Sequence, residues 1–109
     1  MGRLLTLGAT QKEFAKDIGL LIVWAYSNGY ELTFGDAWGD SEDGRHMSNS
    51  NHYRRLAVDL NLFIDGVYQS TSEAHRPLGD YFKSLNEENR WGGDFDDGNH
   101  YSRNWQGIS

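Results

Sequence analysis

Leu56-Ala57-Val58-Asp59-Leu60-Asn61-Leu62-Phe63-Ile64-Asp65-Gly66 is the stretch that decides the fold. Residues two apart in an extended chain share a face, so Leu56, Val58, Leu60, Leu62 and Ile64 form one side of a strand. Ala57, Asp59, Asn61 and Phe63 form the other. Asp65-Gly66 is a hairpin turn signal leading into Val67-Tyr68. Upstream, Tyr30-Glu31-Leu32-Thr33-Phe34 also alternates and is rich in strand formers, with Gly35 and Asp36 ending it. Before it, Phe14, Ile18, Leu21, Ile22 and Ala25 recur at helical spacing between a capping-box pattern at Thr10-Gln11-Lys12-Glu13 and Asn28-Gly29, which predicts a helix over 11–28. Downstream, Leu78, Tyr81, Phe82 and Leu85 predict a second helix from Pro77 to Leu85. From Asn86 onward Gly, Asp and Asn predominate, so the tail is expected to be loop or short strand. The expected class is α+β: one small domain over 1–109, with a central antiparallel sheet flanked by helices.

Composition narrows the function. A chain of 109 residues supports one hydrophobic core and not two. It has no cysteine, which excludes disulfides and thiolate metal sites and leaves His, Asp and Glu as metal donors. The net charge of −6 argues against a nucleic-acid partner, which needs a clustered basic surface that Arg54 and Arg55 do not supply. No apolar run reaches the length of a membrane span, and the start of the chain has no signal-peptide core. The chain is therefore expected to be a monomer, made as a soluble cytoplasmic protein. If its substrate lies beyond the membrane, another agent must let it through.

The donors that remain are grouped. Ser50-Asn51-His52 lies at the end of a polar stretch from Asp40 to Asn51, Asp59 follows His52 by seven residues, and Asp97-Gly98-Asn99-His100 closes the series. Two imidazoles and one carboxylate, with a fourth position left to water, are the ligands of a catalytic zinc ion. Residues seven apart in a regular strand face opposite ways, so His52 and Asp59 address one ion only if Tyr53-Arg54-Arg55 contains a bend. Taken alone, Asp59 reads as a residue on the wet side of an alternating strand. Gly98-Asn99 favours a tight turn that brings Asp97 and His100 within about 7 Å of each other. His100 is then a candidate ligand and Asp97 a candidate base; the spacing alone fits a solvated loop as well. His46 is a possible substrate contact, and His75 is expected at the surface. Trp91-Gly92-Gly93 reads either as a substrate-binding wall or as an aromatic plug on a glycine turn.

Together these pieces resemble the M15 family of zinc peptidases, whose pattern runs Ser-x-His, Ala-x-Asp, Trp-Gly-Gly and acid-x-x-His followed by an aromatic. Here it reads Ser50-Asn51-His52, Ala57-Val58-Asp59, Trp91-Gly92-Gly93 and Asp97-Gly98-Asn99-His100-Tyr101. The resemblance extends from about residue 11 to 101 and implies the compact fold of D-alanyl-D-alanine carboxypeptidases and hedgehog-like domains. It implies one zinc ion held by His52, Asp59 and His100, Asp97 as general base, and peptidoglycan stem peptides as substrate. Aspartate at the base position is similar to the L-alanyl-D-glutamate endopeptidases of phage lysins, which reach the wall through a holin or arrive with a virion. The alternatives are a D-alanyl-D-alanine carboxypeptidase and a non-catalytic wall-binding or virion-associated domain. The sequence departs from the pattern at Arg55, where many members have glycine, and at Trp38-Gly39-Asp40, where the family often has a substrate-binding arginine. Arg45 is the candidate replacement, with Ser50, His46 and Trp91 as further substrate contacts. Tyr101 stands where phenylalanine is commoner.

Overall fold

The computed structural model describes residues 6–35 and 54–106. The first helix, α1 (Leu7–Ser27), begins earlier than its apolar spacing predicts. Its N-cap is Thr6, whose hydroxyl accepts a hydrogen bond from the Ala9 amide at 3.1 Å. The capping-box expectation at Thr10 is therefore corrected: Thr10 lies inside the helix, buried, and its hydroxyl donates back to the Thr6 carbonyl at 2.9 Å. At the other end the expectation holds, since Asn28 caps the helix and Gly29 takes φ +86°, a conformation that favours glycine.

The remaining elements are β1 (Tyr30–Phe34), β2 (Ala57–Ile64), β3 (Val67–Tyr68), α2 (Arg76–Leu85), β4 (Asn89–Trp91) and β5 (His100–Arg103). Short 3₁₀ segments at Glu73–His75 and Gly92–Phe95 precede α2 and follow β4. The strands form one antiparallel sheet in the order β1-β2-β5-β4, with β3 paired to the C-terminal end of β2. The hairpin turn at Asp65-Gly66 forms as its residue types require, both at positive φ. β5 is the element that the sequence conceals. It is four residues long, set among Gly, Asp and Asn, and held between β2 and β4 by pairing rather than by an apolar pattern of its own.

Strand alternation divides the sheet into two faces. Leu56, Val58, Leu60 and Leu62 are buried with Phe14, Ile18, Leu21 and Ala25 of α1 and Leu78 and Phe82 of α2. Ile64, expected in that row, is only half-buried, because it sits at the hairpin end of β2. Asp59, Asn61 and Phe63 on the opposite side are each partly exposed. One face of the sheet is thus the floor of the core. The other is available for chemistry.

The helical layer is also tied to the sheet by polar contacts. Arg103, at 2% exposure, donates to Asp17 at 2.7 Å, Glu13 at 3.0 Å and Asn89 at 2.6 Å. Asn89 in turn donates to Asp17 and to the Phe82 carbonyl, each at 3.0 Å. A buried guanidinium is tolerated only when its charge and donors are met in this way. The network fixes how β5 sits against α1 and α2.

His75 corrects a second expectation. It is 3% exposed and not at the surface, with Nδ1 2.9 Å from the Tyr101 hydroxyl. Burial lowers its pKa to about 4, so the ring is neutral at pH 7. The same burial pushes the Tyr101 phenol well above its ordinary value. The apolar ring of Tyr101 packs edge-on against Phe82, so this residue belongs to the core while its neighbour His100 faces the other way.

Candidate metal centre

The register of β2 against β5 sets Asp59 directly opposite His100. Cross-strand partners project from the same face, here the one that turns away from the helices. His100 Nδ1 and Asp59 Oδ1 lie 3.3 Å apart, with the two side chains 21% and 23% exposed. That separation is long for a charge-assisted hydrogen bond, which favours about 2.7–2.9 Å. It matches the edge of a tetrahedron with bonds of about 2.0–2.1 Å, roughly 3.3–3.4 Å, which is the spacing two ligands of one zinc ion adopt. The donor types and their separation therefore fit a shared divalent cation.

The turn that carries His100 is held from several sides. The His100 amide donates to the Asp97 carbonyl at 3.1 Å, closing the turn expected from Gly98-Asn99, and the Asp97 amide donates to the Gly92 carbonyl at 2.8 Å. The Trp91 indole donates to the Gly98 carbonyl at 2.7 Å, and the Gly98 amide donates to the Ser72 hydroxyl at 3.0 Å. The glycines have steric reasons. A Cβ on Gly92 would lie 2.3 Å from the Asp97 carbonyl oxygen and 2.9 Å from the His100 Cβ; one on Gly93 would meet the Trp91 ring at 2.0 Å. Trp91-Gly92-Gly93 is thus a device for packing an indole and a turn at close range. Trp91 itself is 2% exposed, so the fold makes it an aromatic plug whose edge forms part of a cavity wall.

On the approach to Asp59, Arg55 supplies the bend. Its φ of +59° is left-handed, in a turn at Arg54-Arg55 that leads into β2. Ser50, His52, Arg45 and His46 lie outside the described residues, so the structure brings together Asp59 and His100, with Asp97 close behind, and says nothing of the other candidates. Among the described residues no group of three His, Asp or Glu side chains forms a metal cage; the pair is the described part of the site.

A family model for peptidase M15, described as D-alanyl-D-alanine carboxypeptidase, matches residues 43–103. The chain belongs to the M15 peptidases. The crystal structure of the Serratia marcescens L-Ala D-Glu endopeptidase ChiX aligns with this M15 chain at a TM-score of 0.69 and 17% identity, over 85% of this chain and 79% of that one. At that identity the likeness is one of fold. No curated protein sequence matches the chain.

Beside the Asp59–His100 pair of this M15 domain lies a cavity of about 400 Å³. Asp97 and His100 line one side, Lys83, Arg90, Asp94 and Phe95 stand around it, and Ser102 lies at its floor. Sequence reasoning passed over Arg90 and Ser102. Their alternation with Trp91 and Tyr101 would have placed them on the face of His100, had β4 and β5 been recognised as strands.

Proposed function

We propose that this M15 domain is a zinc peptidase acting on peptidoglycan stem peptides, with the L-alanyl-D-glutamate bond as its target. The observation that carries the reading is the Asp59–His100 pair, 3.3 Å apart on the open face of the sheet and bordered by Asp97. His52, Asp59 and His100 would hold the ion. When bound, zinc supplies a Lewis acid that makes water nucleophilic near neutral pH and polarises the scissile carbonyl.

The protein's own groups do the rest. Asp97 accepts a proton at its carboxylate from the attacking water and returns it to the leaving amine. Support for this role comes from the backbone hydrogen bonds that hold residue 97 in the turn next to His100, one to Gly92 and one from His100. Arg45 and His46 are candidates for stabilising the developing oxyanion, a contribution of about 3 kcal/mol per donor. The open cavity receives the peptide, while the sheet holds the two donors rigidly. Leu7–Ser27 and residues 54–106 share one core, which supports reading 1–109 as a single peptidase domain. Among the described residues no helix is long and apolar enough to cross a membrane. A monomer that meets the wall after release, as phage lysins do, agrees with this reading.

The description of the matching family favours a second reading, removal of a terminal D-alanine by the same machinery. Digestion of purified sacculi followed by mass spectrometry decides between them. New glutamate amino termini on the peptides freed from intact glycan strands are expected, and release of free D-alanine would replace the first reading with the second. Absence of both products would leave the wall-binding alternative.

A further inference from the structure

We infer that the cavity beside the Asp59–His100 pair is a carboxylate-binding subsite, built from Arg90 and Ser102, that selects an anionic group next to the scissile bond. Four observations converge on it. Ser102 pairs directly with Arg90 on one side and with Ala57 on the other, so these three side chains form a row on the same face as His100 and Asp59. Two residues along β5 separate that row from His100, about 6.8 Å. A cavity of about 400 Å³ is lined by two members of that row, Arg90 and Ser102, and by His100. The Ser102 hydroxyl, in a residue 1% exposed, lies at the floor of that cavity with no hydrogen-bond partner among the described residues.

A buried hydroxyl without a partner is rare in a stable core, and at a cavity floor it marks a place where a ligand completes the bonding. The cavity carries two cations, Lys83 and Arg90, along with the carboxylates of Asp94 and Asp97. Arg90 spends one terminal nitrogen on the carbonyls of Glu87 and Asn89, at 2.9 and 3.2 Å, which are neutral acceptors, and its other terminal nitrogen meets Glu88 at 3.6 Å. Lys83 is already bound to Asp94 at 3.1 Å, so the guanidinium is the cation that a ligand would engage. A guanidinium and a hydroxyl on one wall match the geometry and charge of a carboxylate.

The ligand class follows from the proposed peptidase reading, on which this step rests. In an L-alanyl-D-glutamyl stem peptide the chain continues through the γ-carboxyl, so the free α-carboxylate sits on the carbon attached to the scissile nitrogen. In a terminal D-alanyl-D-alanine the chain-end carboxylate occupies the same place. Either source puts a carboxylate a few ångströms past the bond that is broken, on the leaving side.

The test is a binding measurement that needs no turnover. Isotope-labelled protein is titrated with γ-D-glutamyl-L-lysine, with the same dipeptide amidated at its α-carboxyl, and with D-alanine and D-alaninamide, while amide shifts are followed. Each free carboxylate is expected to bind at least tenfold tighter than its amide, with the largest shifts at Arg90 and Ser102. Arg90→Gln and Ser102→Ala are each expected to erase the preference; neither changes a core apolar contact, and retained dispersion of the spectra verifies their folds. The tighter of the two acids names the source. Equal binding of acid and amide by the wild-type protein, or an unchanged preference in both variants, would overturn the subsite. Failure to cleave sacculi with the preference intact would reject the peptidase reading and leave the subsite standing.

Discussion

Arg55 holds a φ of +59° at the turn into β2, a conformation that costs a residue with a side chain about 1–2 kcal/mol relative to glycine. Part of that is returned by the lower entropy of an unfolded chain that lacks glycine there. The balance predicts that Arg55→Gly raises stability by about 0.5–1 kcal/mol in urea titration with an unchanged m-value; a loss of stability would mean that the arginine side chain contributes more than its backbone costs. The bend was legible as a necessity, because His52 and Asp59 face opposite ways in any straight strand. Its location at a non-glycine residue was legible only as a departure from the family pattern. Asp97 is the other residue whose role turns on local geometry. Asp97→Ala is expected to keep zinc affinity within about threefold and to lower kcat on stem peptides by about 10²–10⁴-fold. A variant with full turnover would remove Asp97 from the mechanism.

At the scale of elements, β2 was readable because its apolar alternation runs through eight residues, whereas β5 was not, because its four residues carry one buried aromatic among polar neighbours. Tertiary pairing, not propensity, makes β5 a strand. The consequence reached the site: with β4 and β5 taken as tail, Arg90 and Ser102 had no face to belong to. The start of α1 was misplaced for a related reason, since Thr6 and Thr10 have the same chemistry and only the fold selects which one caps. The Trp91-Gly92-Gly93 element was visible as a motif but ambiguous in purpose. Its glycines pack at close range against the turn and the indole, which yields a prediction. Gly92→Ala forces the Asp97–His100 turn away from β4 and should cost about 1–3 kcal/mol of stability. It should also cut kcat/KM at least tenfold in a variant whose circular dichroism remains native. Undiminished activity would show that the turn tolerates displacement.

For the molecule as a whole, His75 links stability to pH. Its pKa of about 4 in the folded state lies below the ordinary 6.5, so between those values the unfolded chain binds a proton that the native protein does not. The resulting stabilisation is present above pH 6.5 and is lost as the pH falls toward 4. Between pH 7 and 5 the loss from this residue is about 2 kcal/mol, a drop of several degrees in Tm for a domain of this size. His75→Gln should flatten that part of the pH profile; an equally steep profile in the variant would assign the dependence to other groups. The same architecture that buries His75 on the core side presents His100 and Asp59 on the opposite one, and the function proposed for the chain depends on those two donors sharing an ion. Calorimetric zinc titration of the wild-type protein beside Asp59→Ala and His100→Ala tests that directly. One ion per chain in the wild type and at least a hundredfold weaker binding in each variant is the predicted result, and zinc held equally well by all three proteins would contradict it.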